Sequence, residues 1–228
     1  MAARADTITV TSLADDGSPG TLRVAIDDAP AGSTIVVPAG TITLVGGELG
    51  IGKNLTITGA GSSATAISGG GVTRVWGVSG SGTSLTLSHL TVRDGALIAP
   101  TAIVEGGGMQ VAGGASVLLT HVVFTNNVAD ASGGAGAPGG IADGGAINVL
   151  GHLTVEDSAI VGNSSLARGG PGKPGGNAGG GVSSLTPEAL SPSRDRTSAG
   201  TWRSAPAPRA RKAGLLRVEG SSLWNRSL

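Results

Sequence analysis

Apolar and polar residues alternate along this chain in short bursts, and the bursts come back. "SLTLSHLTVRDG" (84–95), "SVLLTHVVFTNN" (116–127) and "HLTVEDSAIVGN" (152–163) align with one another at offsets of 32 and 36 residues. In that alignment Leu85, Val117 and Leu153 share one slot, and Leu87, Leu119 and Val155 share the next. Val92, Phe124 and Ile160 share a third, and Asn127 falls on Asn163. "NLTITGAG", from Asn54, keeps the first half of the same text. A period of two carried by Thr, Val, Ile and Leu predicts β-strands of three to five residues, and helical periodicity is missing from the copies. Glycines at 106–108, 144–145 and 179–181 punctuate the copies where the chain must bend.

Several short strands per copy and no crossover helix predict a solenoid of parallel strands, each copy coiled on the last, over residues 6–182. Successive coils then lie about 4.8 Å apart, and equivalent residues form ladders along the axis. The glycine-rich stretches at 133–143 and 169–179 read as loops budding from one corner of successive coils. A collagen reading of "GGPGKPGGN" fails, because Ala142 and Ala178 break the period and three triplets cannot make a triple helix. The one helical signal is "PGTLRVAIDDAP" (19–30), with Thr21 at the N-cap, Leu22, Ala25, Ile26 and Ala29 on one face, and Pro30 as the stop. It predicts a cap helix over the first coil, where a bare end would offer unpaired backbone.

Composition sharpens this picture. Of 228 residues 42 are glycine, tyrosine and cysteine are absent and phenylalanine occurs once, so packing is expected from many small aliphatic contacts rather than from large aromatic anchors. The absence of cysteine excludes a disulfide scaffold and a thiolate metal site. Residues 1–182 hold 7 basic and 12 acidic side chains, and 183–228 hold 8 and 3. A mildly acidic body with few aromatics argues against nucleic acid as partner. No run is long and apolar enough to be a membrane span. The Pro-, Arg- and Ser-rich stretch 183–228 has no period and is read as a disordered or out-of-frame tail. Ala3-Arg4-Ala5 looks like the downstream side of a secretory cleavage site, which leads to the expectation of a signal segment upstream of this start.

With the repeat laid out, Gly144-Gly145-Ala146-Ile147 and Phe124-Thr125-Asn126-Asn127 resemble the paired GGAI and FxxN motifs of the polymorphic outer-membrane proteins. Variants stand at 106–109, at 179–182 and at Ile160-Val161-Gly162-Asn163. "TLRVAIDDAPAGSTIVVPAGTITL" (21–44) is similar to the opening of pectate-lyase-like bacterial surface proteins. The resemblance covers about residues 6–182. It implies an all-β, right-handed, single-stranded parallel β-helix that is secreted or displayed on an outer membrane, often as an autotransporter passenger with adhesive function. A host-cell or carbohydrate surface is then the expected partner. No membrane β-barrel pattern follows the repeats, so anchoring by that family's usual route is not expected of this chain.

The same fold carries polysaccharide lyases and glycoside hydrolases, so acidic and imidazole groups need separate inspection. Asp15-Asp16 and Asp27-Asp28 fall at the N-terminal cap, and Glu156-Asp157 stands alone on its coil. Glycosidase chemistry needs two carboxylates facing one bond, and no such pair is expected on adjacent coils. His89, His121 and Asp157 occupy equivalent positions, which is either a column of metal ligands or the copying of a polar corner, and the second reading is preferred. Asn127 and Asn163 are expected to bond backbone at an internal corner. No residue is therefore singled out as catalytic, cofactor-binding or metal-ligating. The expected function is binding, adhesin-like or structural, with a carbohydrate-active enzyme as the alternative.

Overall fold

The computed structural model describes residues 4–179, 181–183 and 215–219. Nearly every element is a short strand, and through residue 179 each strand pairs in parallel with its counterpart one coil away. The longest sheet, A, stacks β1 (Thr7–Thr9), β2 (Ser33–Val36), β5 (Leu55–Thr58), β8 (Ser84–Ser88), β13 (Ser116–Thr120) and β18 (His152–Glu156). Sheet B stacks β3 (Gly40–Thr43), β6 (Thr65–Ser68), β9 (Thr91–Arg93), β14 (Val123–Thr125) and β19 (Ala159–Val161). Sheet C stacks β4 (Leu49–Ile51), β7 (Trp76–Val78), β12 (Met109–Val111) and β17 (Ile147–Val149). The chain runs through A, B and C in turn and returns to A one coil higher, which is a parallel β-helix.

Register follows the aliphatic slots of the sequence residue for residue. Leu85 pairs with Val117 and Val117 with Leu153; Leu87, Leu119 and Val155 make the neighbouring column. Sheet B adds Ile42, Ile67, Val92, Phe124 and Ile160. Sheet C adds Leu49, Trp76, Met109 and Ile147. These columns converge on one continuous core. Each fully buried Leu or Ile contributes roughly 1.5–3 kcal/mol of transfer free energy, so the columns are the dominant stabilising feature. One expectation is overturned: Trp76 and Phe124 are the two largest fully buried side chains, so the core does use aromatic anchors, two of them, on different coils.

The step from coil to coil, read on Ser33, Leu55, Leu85, Val117 and Leu153, is 22, 30, 32 and then 36 residues. From Leu85 onward each coil carries an arm inserted between sheets B and C. Its sheet D contains β10 (Ala96–Ile98), β15 (Val128–Asp130) and β20 (Ser164–Leu166). Its sheet E contains β11 (Ile103–Glu105), β16 (Ile141–Asp143) and β21 (Asn177–Gly179). The glycine-rich stretches supply the tips joining D to E, as loops stacked on one another, although their last three residues, 141–143 and 177–179, are strands of sheet E and not loop: Gly133 N–H donates to Arg168 O, and Gly170 N–H to Ala137 O. Between D and E lies a second, small core of Val104, Ala129, Ala131, Ala142 and Ala167.

At the N-terminal end α1 (Leu22–Asp28) buries Leu22, Ala25 and Ile26 against the first coils, as its apolar spacing predicts. Thr21 occupies the N-cap position, but its hydroxyl donates to Ser18 O instead of receiving a helix N–H. Ala29, before Pro30, turns to extended backbone and ends the helix. Asp15 locks this cap: its side chain is 1% exposed and accepts both Arg23 guanidinium bonds at 2.8 Å and the Val45 and Gly46 N–H groups.

A strand that composition did not suggest closes part of the other end. β22 (Leu215–Glu219) pairs antiparallel with β18, His152 facing Glu219 and Glu156 facing Leu215. It lies inside the stretch read as a disordered tail, and it covers the backbone edge that sheet A would otherwise present. Residues 184–214 and 220–228 of that tail lie outside the described residues.

Candidate functional site

The residues that sequence reasoning weighed are mostly accounted for by corners. His89, His121 and Asp157 do form one column, at a turn where φ is 55, 56 and 46°. A second corner repeats the requirement, with Asp94 and Asn126 at 52 and 56° and Gly162 at 66°. His, Asn, Asp and Gly are the residues that best tolerate left-handed backbone, so the column follows from the bend. The exposed imidazoles of His89 and His121 stack with centroids 4.9 Å apart and planes 7° apart. Among the described residues no three His, Asp or Glu side chains converge to hold a metal.

Asn127 and Asn163 form the internal ladder that was expected. Fully buried Asn127 accepts the Gly95 N–H at 2.9 Å and donates to Val92 O, Thr125 O and Asn163 Oδ1. Asn163 donates in turn to Phe124 O and Val161 O. The pair satisfies backbone groups left open where sheet B turns into the arm.

Two surfaces remain without such an explanation. The first is the outer face of sheet A. Strand alternation sends one column outward as Thr7, Thr34, Thr56, Thr86, Leu118 and Thr154, and a second as Thr9, Val36, Thr58, Ser88, Thr120 and Glu156. Hydroxyls thus recur about every 4.8 Å along the axis and about 6.6 Å along each strand. Among the described residues the side-chain hydroxyls of Thr34, Thr56, Thr86, Ser88 and Thr120 have no protein hydrogen-bond partner; that of Thr58 reaches only its neighbour Gly59 O, at 3.5 Å. Glu156 is the single charge in the two columns.

The second surface is the corner where sheet E meets sheet C. Glu105 and Asp143 are register partners on adjacent coils, and so are Gln110 and Asn148. Two carboxylates therefore do fall on neighbouring coils, at a place outside the cap pairs and the lone Glu156-Asp157 that the sequence brought forward. Gln110 Nε2 donates to Glu105 Oε2 at 2.8 Å across the corner. Below them Arg74 donates to Glu48 Oε2, Gly106 O and Glu105 O at 2.7, 2.9 and 2.7 Å. Burial, and then the charge of Glu105, hold the Asp143 carboxyl above its ordinary pKa. Asn148 is 4% exposed, and among the described residues its Oδ1 has no partner.

A sequence signal for this corner was present and unread. "EGGGMQ" (105–110) and "DGGAIN" (143–148) are one hexapeptide written twice: acid, two glycines, a small residue, an apolar residue, an amide. Attention to the glycines alone hid the polar residues on either side. Comparison of the chain with protein-family models, with curated proteins and with solved structures finds no match.

Proposed function

We propose that this chain is a non-enzymatic, secreted or surface-exposed β-helix that works by binding, as an adhesin or a structural passenger, and that the outer face of sheet A is its contact surface. The observation that carries this reading is the double column of unpartnered hydroxyls. Each Thr offers a hydroxyl that donates and accepts, beside a methyl group, and the face carries almost no charge. Such a surface complements a partner that is itself repetitive and hydroxylated, a polysaccharide or the glycans of a host cell. Each contact is weak, and repetition along the axis multiplies them.

The test is retention on immobilised polysaccharides and on cell layers, for the wild type and for Thr56→Glu/Thr86→Glu. The charged face should lose at least about tenfold in affinity, the equivalent of one or two contacts, with an unchanged circular dichroism spectrum. Equal retention of the two proteins, or none by the wild type, sinks the reading.

A second reading, a carbohydrate-active enzyme, is favoured by Glu105 and Asp143. Two carboxyl groups on adjacent coils, one of them held above its ordinary pKa by burial and by its neighbour, resemble the pair that acid–base cleavage of a glycosidic bond uses. Turnover of a polyuronide, followed by the release of new reducing ends, with ultraviolet absorbance of unsaturated product separating elimination from hydrolysis, and abolished by Asp143→Asn, would put this reading first.

A further inference from the structure

The carboxylates of Glu105 and Asp143 sit on adjacent rungs, where backbones are about 4.8 Å apart and like charges repel. The nearest cation does not neutralise them. Arg74 spends its guanidinium on the carboxylate of Glu48 and on two backbone carbonyls, and among the described residues neither Glu105 nor Asp143 has an ion-pair partner. Gln110 covers one oxygen of Glu105. Asn148 stands one coil above Gln110 on the outer side of β17, five residues past Asp143 as Gln110 is five past Glu105, so its side chain leaves the strand on the same side of the corner as that of Gln110. Its Oδ1 is buried and, among the described residues, receives no donor, an unfavourable state for a buried acceptor.

We infer that Glu105, Asp143 and the Asn148 amide oxygen form a divalent-cation site that clips one coil to the next. One bound cation removes both liabilities, the like-charge pair and the orphan oxygen. The donors are hard oxygens, two carboxylates and an amide carbonyl, without imidazole or thiolate, which selects calcium or magnesium over zinc. Calcium is the better fit, because its coordination is irregular and completed by water, whereas magnesium demands near-ideal octahedral geometry. Gly106 and Gly144, at φ 67 and 64°, make the sharp turns that bring each acid back beside its amide.

Three consequences are measurable with the full chain by thermal denaturation and calorimetric titration. Calcium at millimolar concentration, added to chelator-treated protein, should raise Tm and titrate to one site per chain. Asp143→Asn should weaken calcium at least about tenfold, equivalent to about 1.4 kcal/mol, while being no less stable than wild type in chelator, since it relieves the repulsion without changing shape. Asn148→Asp should tighten calcium and lower Tm without it. No titration by the wild type overturns the site. So does a calcium-induced rise in Tm that Asp143→Asn retains, because that would be general screening. Retention on polysaccharide after Asp143→Asn is governed by the other face, so loss of this site and loss of the binding function are separable.

Discussion

Two interiors lie side by side on the same coils, and they are built from opposite materials. Between sheets A, B and C the space is filled by Leu, Ile and Val columns with Trp76 and Phe124 among them. Between sheets D and E it is filled by Ala129, Ala131, Ala142, Ala167 and Val104. Side-chain size sets the spacing of facing backbones, so the arm is thin and its glycines serve a different purpose. In the arm a methyl group on Gly107 would run into the backbone of Val128, and one on Gly145 into that of Ser164. A wide interior is stabilised by apolar area. A thin one buries little, and must depend on backbone hydrogen bonds and on the absence of side chains.

The largest effect should come from emptying the wide interior. Phe124→Ala removes the only phenylalanine, fully buried in sheet B one strand from its end, and should cost about 3–5 kcal/mol by chemical denaturation. A cost under about 1 kcal/mol would mean that this column can collapse, and that the core is not close-packed. The arm should fail in the other direction. Gly145→Ala adds one methyl where Ser164 backbone already stands, for about 1–3 kcal/mol, whereas Ala142→Gly, which subtracts one, should cost only about 1 kcal/mol. If subtraction hurts more than addition there, close backbone approach is not what holds the arm together. Native-state hydrogen exchange gives the same contrast without mutation. Amides of residues 128–130 and 141–143 should exchange before those of 117–120 and 153–156, because the arm has less apolar area to lose on opening.

What could be read from the sequence follows the same division. Leu85, Val117 and Leu153 announced their column because large aliphatics alternating with Thr give strong contrast at period two. Ala129 and Ala142, flanked by Val, Asp and Ile, give almost none, so of the arm only the glycine-rich stretches 133–143 and 169–179 stand out in the sequence, and they stand out as loops. Glu105 and Asp143 were missed because a pairing partner 38 residues away becomes visible only when the polar neighbours of a repeated motif are aligned with it. "LLRVE" (215–219) has strand character, and lost it to the composition around it. Corner residues were legible as a column but not as to cause. Left-handed φ at His89, His121 and Asp157 is a property of the bend, and residue type alone does not distinguish tolerance of a bend from affinity for a metal.

The smallest effect, and the one that tests both regions with a single titrant, is pH. Asp15 locks the end of the wide interior. Burial raises its pKa, but the bonds from Arg23, Gly46 and Val45 outweigh that and leave it below the ordinary 3.8. A depressed folded pKa gives stability that is fully present above 3.8 and lost as pH falls through the folded value. Asp143, on the arm, is raised above 3.8 by burial and by Glu105, so its sign is reversed. The folded state takes up that proton more readily than the unfolded chain, and stability rises as pH falls through the folded value, levelling off below 3.8. Acidification in chelator should therefore first stabilise the protein slightly and then destabilise it. Asp143→Asn should remove the gain and keep the loss; Asp15→Asn should lower stability at neutral pH and flatten the acid loss. A monotonic decline in the wild type that Asp143→Asn leaves unchanged would show that the two carboxylates on the arm do not feel each other, and the contrast in charge between the regions would fall with it.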